Sequence, residues 1–145
     1  MVRRFVLVLT TLLLVADTAA GHEFAVGDLI ITHPWARVTA TANVPGVGYL
    51  AIENTGTDDD RLLGAASPVV ARVELHRTVI EDGIARMRPP PDGLALPAGA
   101  IIELAPGGYH LMLTGLTAPL TTGARVPLTL RFERAGEVAI EIVVE

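Results

Sequence analysis

The chain has 145 residues, a formal net charge of −5 and no cysteine. Disulfide scaffolds and thiolate metal sites are therefore excluded, and the basic footprint of a nucleic-acid-binding domain is lacking. Every basic side chain is arginine, and the length suits one domain that buries a core without staples.

The N-terminus reads as an export signal. Arg3 and Arg4 form a charged region, Phe5 to Val15 an apolar one, and Thr18-Ala19-Ala20 a small-residue cleavage site. An apolar stretch of eleven residues is too short to span a bilayer, which takes about 20. Residues 1–20 are expected to be a signal peptide cleaved after Ala20, and 21–145 a single domain in the periplasm without stable membrane insertion. With no cysteine behind the apolar region, lipid attachment there is not expected.

Period-two alternation dominates the rest of the chain. Strands are predicted at 29–31, 36–38, 48–52, 73–79, 101–104, 109–113, 126–132 and 138–144. Turn chemistry separates them: Asn54-Thr55-Gly56, Asp82-Gly83, Pro89-Pro90-Pro91-Asp92-Gly93, Pro97-Ala98-Gly99, Pro106-Gly107-Gly108 and Ala135-Gly136. Many short strands at this spacing predict an all-β domain, a β-sandwich or Greek-key barrel. Asp58-Asp59-Asp60 reads as a solvated turn, because a calcium loop needs more oxygens in a defined order.

On the strand at 109–113, Tyr109, Leu111 and Leu113 are expected to face the core, which leaves His110 and Met112 together on the polar face. On the strand at 73–79, Val73, Leu75 and Val79 alternate with Glu74, His76 and Thr78, so His76 lies on a polar face. Asp82-Gly83 as a two-residue hairpin loop places Thr78 opposite Met87, with His76 diagonal to Met87 at roughly 7–8 Å. That register turns Arg86 toward the face of Val79, which an edge hairpin open on that side would accommodate. Besides the initiator, Met87 and Met112 are the only methionines, and both fall in step with a histidine. Imidazole and thioether together select Cu(I), whereas Ca²⁺ and Mg²⁺ take oxygen ligands. The expected site is an exposed, roughly tetrahedral one made of His76, Met87, His110 and Met112.

Arg72-Val73-Glu74-Leu75-His76, then Met87-Arg88-Pro89, then Pro106-Gly107-Gly108-Tyr109-His110-Leu111-Met112-Leu113 closely resemble the PCuAC family of periplasmic copper chaperones. Trp35-Ala36-Arg37, Gly48 to Asn54 and Asp60-Arg61-Leu62 extend the likeness over most of the exported domain. Ten residues separate His76 from Met87, as in that family, and twenty-two separate Met87 from His110, one more than usual. The proline run 89–91 is the expected place of the insertion, in a loop where extra length costs little. The resemblance implies a cupredoxin-like Greek-key β-barrel that binds Cu(I) through the two histidines and two methionines. It also implies delivery toward the dinuclear copper A site of cytochrome c oxidase subunit II, alongside Sco-type thioredoxin-like proteins. General periplasmic copper storage or tolerance is the alternative to delivery.

His22, second residue of the expected exported form, could chelate Cu(II) with a free amine. His33, between Thr32 and Pro34, reads as structural. An electron-transfer cupredoxin would need a cysteine thiolate. An enzyme would need an open coordination position and a base, and Glu74 with Tyr109 makes no convincing pair, so no catalytic role is expected. A plain exported β-sandwich module without metal is the remaining rival. Intact-mass measurement of the exported protein is expected to give a chain beginning at Gly21.

Overall fold

A computed structural model describes residues 22–145, and the expected leader with its cleavage point lies outside them. Eleven strands are described: β1 (Glu23–Val26), β2 (Leu29–Ala36), β3 (Gly46–Asn54), β4 (Asp60–Ala66), β5 (Val70–Glu81), β6 (Ile84–Arg88), β7 (Leu94–Leu96), β8 (Ile101–Leu104), β9 (Tyr109–Leu116), β10 (Arg125–Phe132) and β11 (Gly136–Val144). Among the described residues there is no helix, so none is long and apolar enough to cross a membrane. The strands run β6-β5-β9-β3-β2-β11-β10-β4-β7 across one curled sheet, with β1 on β2 and β8 on β3. All neighbours are antiparallel except β11 and β2. The fold is the expected all-β, cupredoxin-like Greek-key sandwich or barrel.

Alternation builds the core. Val126, Leu128, Leu130 and Phe132 of β10 are buried, as are Ile140, Ile142 and Val144 of β11 and Leu111 and Leu113 of β9. Gly48 sits across from Leu111 on β3, and a β-carbon there would press on Ile142 at 3.0 Å, so the sheet draws close where β9 joins it. Between β4 and β5 the curl closes without a ladder. There a cleft of about 460 Å³ is lined by Leu63 to Ala66, Val73 to Leu75, Pro89 and Pro90.

Three sequence expectations change. The predicted strand 29–31 continues as β2 to Ala36, with a bulge between Thr32 and Trp35, and of the predicted strand 36–38 only Ala36 belongs to it. His33 takes a left-handed φ of 46° there, which breaks the alternation without ending the strand. β1, β4 and β7 are additional to the predicted strands. The acidic turn is not uniformly solvated either: Asp60 is buried and starts β4. Its carboxylate accepts the backbone N–H groups of Arg61, Arg134 and Ala135 at 2.7, 2.9 and 3.0 Å. Three charge-assisted hydrogen bonds explain how a carboxylate is held inside; they tie the start of β4 to the β10–β11 turn.

Leu111 is wholly buried and stands opposite Leu75 on β5, directly behind the polar face that carries His110 and Met112. Leu111→Ala is expected to destabilise the domain by about 2–5 kcal/mol, read as a lowered midpoint in urea unfolding.

Candidate metal centre

The site begins with two turns. Asp82 and Gly83 both take positive φ, 53° and 76°, the signature of a tight hairpin turn whose twist matches its strands. Glu81 therefore pairs with Ile84 and Thr78 with Met87, as the sequence predicts. The other face of this hairpin carries Arg86 and Arg88, both paired with Glu81 at 3.2 and 2.8 Å. Every residue of β6 is exposed, so Arg86 opposite Val79 meets water and not core.

The second turn precedes β9. Gly108 N–H donates to the Ala105 carbonyl at 3.0 Å, with Pro106 and Gly107 between and Gly107 at φ 84°, a type II arrangement that needs glycine there. The turn sends the Gly108 carbonyl back over β5. That oxygen accepts the Thr78 N–H at 3.1 Å and lies 3.2 Å from His110 Nδ1.

The β5–β9 ladder then pairs Glu74 with Met112, Leu75 with Leu111 and His76 with His110. Three rows result on one face. The histidine pair forms the middle row, its rings 5.8 Å apart and nearly perpendicular at 86°. Met112 lies in the row on one side, across from Glu74, and Met87 in the row on the other, across from Thr78. Met87 on β6 and Met112 on β9 are thus each diagonal to His76 on β5, within reach of a long side chain, and Met112 follows His110 by two on the same strand. The register sets all four predicted residues in adjoining rows on one face.

Exposure differs from expectation. His110 shares the polar face with His76, yet it is only 2% exposed. The His76 side chain is 16% exposed, Met112 is half-buried, and Met87, on the edge strand, is 53% exposed. Exposure across the four is graded, from the buried His110 imidazole to the exposed Met87 side chain.

The ring nitrogens show what such a place could hold. His76 Nδ1 and His110 Nε2 are both buried with no hydrogen-bond partner. An orphaned buried polar atom is costly in a native fold, and two on facing rings beside two thioethers fit a shared ion. His110 Nδ1 can donate to Gly108, which leaves the Nε2 lone pair free; metal-bound histidines are commonly held this way, through the ring nitrogen that does not touch the ion. Among the described residues no three His, Asp or Glu side chains gather at metal-binding spacing, so the sulfurs are needed to complete a donor set. His22 is exposed ahead of β1. His33 sits on the β2 bulge with its ring 6.3 Å from that of Trp35. Because β3 separates β2 from β9, neither joins this centre. The sequence reading missed the Gly108 carbonyl as an anchor, although a Gly-Gly turn two residues before a histidine was its signal.

The chain matches the family model described as "Putative lipoprotein LpqE-like" over residues 29–144. "Putative lipoprotein Lxx21020" of Leifsonia xyli subsp. xyli (strain CTCB07) is 35% identical over 102 residues, 70% of this chain and 60% of that protein. "Uncharacterized protein RP573" of Rickettsia prowazekii (strain Madrid E) is 26% identical over 105 residues, 69% of this chain and 57% of that protein. The chain thus matches less than two thirds of the length of either curated relative. Among solved structures, the copper-bound PCuAC domain from PmoF2 superposes with a TM-score of 0.71 at 32% identity, covering 86% of this chain and 97% of that domain. The Cu(I)-DR1885 solution structure from Deinococcus radiodurans gives 0.60 at 27% identity, covering 90% and 85%.

Burial is the main cause that pushes His110 below the ordinary histidine pKa; the Gly108 carbonyl opposes it and neighbouring His76 adds to it. The unfolded chain therefore takes this proton first. Stability from the group is intact above about pH 6.5 and is lost as pH falls toward the folded-state value. In the metal-free protein the His110 ring resonances are expected to titrate below about 6.5, and NMR titration checks this.

Proposed function

The chain belongs to the LpqE-like family of PCuAC type, and from that membership and the paired ring nitrogens we propose that it is an exported Cu(I) carrier, not an enzyme. His76, Met87, His110 and Met112 are the proposed ligands. The observation that carries the reading is the pair of buried, unpartnered nitrogens set between two methionines. Soft thioethers and imidazoles suit a monovalent d¹⁰ ion. The PmoF2 domain is copper-bound and the DR1885 structure carries Cu(I), which supports the same ion here.

Four neutral donors leave the ion its charge, so it is held firmly and remains exchangeable. The gradient of exposure gives release an order. Met87 at the rim yields first to an incoming thiolate and Met112 next, while His110 at the floor lets go last. Without cysteine the carrier cannot be locked as a disulfide; oxidation of Met87 or Met112 to the sulfoxide would impair it.

For the acceptor we propose the dinuclear copper site of cytochrome c oxidase subunit II, reached directly or through a Sco-type thioredoxin-like protein. The periplasm is the proposed compartment, supported by the N-terminal signal pattern and by the relatives named as lipoproteins. His22, behind a free amine at Gly21, is proposed as a secondary Cu(II) chelate.

Anaerobic titration against a chromophoric Cu(I) chelator tests the reading. One tightly bound equivalent is expected. Both the His76→Ala, His110→Ala and the Met87→Leu, Met112→Leu double variants should bind weakly. The double histidine variant should lose more than the roughly 100-fold that removing an outer-sphere partner costs. Tight binding retained by it would sink the site; no competition with the chelator by the wild type would sink the carrier.

A further inference from the structure

We infer that Glu74 is the positioning residue of the centre: its carboxylate keeps the His76 proton on Nε2 and so presents Nδ1, lone pair free, to the space shared with His110. The inference rests on the Cu(I) reading above for its purpose, but not for its evidence. Glu74 precedes His76 by two residues on β5 and therefore shares its face. One carboxylate oxygen, Oε2, lies 3.8 Å from His76 Nε2. The other, Oε1, lies 3.7 Å from Arg72 Nη1, so the carboxylate has a cationic or ring nitrogen near each oxygen. On the far edge of the same imidazole, Nδ1 is buried and has no partner.

These positions decide the tautomer. With the proton on Nδ1, the ring would bury an N–H without an acceptor and turn a lone pair toward a carboxylate. With the proton on Nε2, the N–H has a carboxylate oxygen 3.8 Å away and Nδ1 is left as a donor for a cation. His110 is arranged in the opposite sense, its Nδ1 on the Gly108 carbonyl at 3.2 Å and its Nε2 bare. The two rings thus offer different nitrogens to one space, and each is set by a different anchor, one a backbone carbonyl and the other a side chain. The side-chain anchor also stands across from Met112, which puts a negative charge beside a cluster of neutral ligands where an arriving cation is otherwise uncompensated.

The competing description is an exposed ion pair between Glu74 and Arg72, which would contribute little to anything. The Glu74 side chain is 41% exposed and its neighbours Val73 and Leu75 carry the core, so alanine at 74 leaves the fold intact. Long-range ¹⁵N–¹H correlation spectra of the metal-free protein, in mildly alkaline buffer where histidine is ordinarily neutral, read the tautomers directly. His76 is expected as the Nε2–H form and His110 as the Nδ1–H form. In Glu74→Ala the His76 signals should move to a mixture, His110 should stay unchanged, and Cu(I) affinity by chelator competition should fall about 10–100-fold. Glu74→Gln, which keeps an acceptor oxygen without charge, should restore the tautomer and only part of the affinity. A wild-type His76 found as Nδ1–H, or a Glu74→Ala protein with unmoved tautomer and affinity, overturns the inference. If the wild type binds no Cu(I), the carrier reading fails, and the metal-free spectra still decide whether Glu74 sets the tautomer.

Discussion

The register of β5 against β9 is the constraint on which the rest depends. The same ladder that sets Leu75 across from Leu111 sets His76 across from His110 and Glu74 across from Met112. Side chains alternate faces with a period of two, so a slip of one residue in either strand would send its leucine to solvent and its histidine into the core. Burying the leucines is worth several kcal/mol, and that energy holds the proposed ligands in place. Apolar packing on one side of the sheet thus fixes the polar geometry on the other.

This coupling made the centre legible in the sequence. Apolar residues at alternate positions around His110 and His76 declared which face each histidine shares, and Asp82-Gly83 declared the hairpin that returns Met87 beside Thr78. The PCuAC resemblance rested on the same residues, and the family match and structural neighbours agree with it. Elements without such contrast were not legible. β6 has no buried residue, so only its turn revealed it. β7 has three residues, and the second half of β4, with Gly64, Ala65 and Ala66, has little hydrophobic alternation. In β2 the bulge at His33 shifted the phase, so the pattern ended the strand at Ile31. Asp60 looked like the end of a solvated acidic turn because its partners are backbone N–H groups more than seventy residues away in sequence, at Arg134 and Ala135. The burial of His110 was also out of reach, since alternation tells which face a residue is on and not what lies over it.

That burial has a chemical consequence. A desolvated imidazole gives up its proton more readily, so protons compete less for the His110 lone pair. The Gly108 carbonyl pulls the other way by favouring a protonated Nδ1. It does so at the nitrogen that faces away from the ligand space, however, so the fixed tautomer and the bare Nε2 are compatible. The backbone anchor is itself secured by the Thr78 N–H, and Thr78 is the residue across from Met87. One carbonyl therefore links the orientation of the buried histidine to the strand pair that carries the exposed methionine.

The chain that joins Met87 to His110 runs apart from the strands that place the four proposed ligands. β6 ends at Arg88 and β7 begins at Leu94, so the proline run lies wholly in the connection. That connection is fastened to β4, not to β9: the Arg61 side chain donates to the Asp92 carbonyl at 2.9 Å. Gly93, at φ 76°, packs so closely on the Leu62 carbonyl that a β-carbon would collide with it. His110 and Met112 take their positions from the Pro106–Gly108 turn and from the ladders to β3 and β5, none of which involves that connection. A length change between the two ligand pairs is absorbed against β4 before the second pair is reached. The geometry of the proposed site is thus set separately from loop length. The sheet, and not the spacing along the sequence, is what brings the four side chains together.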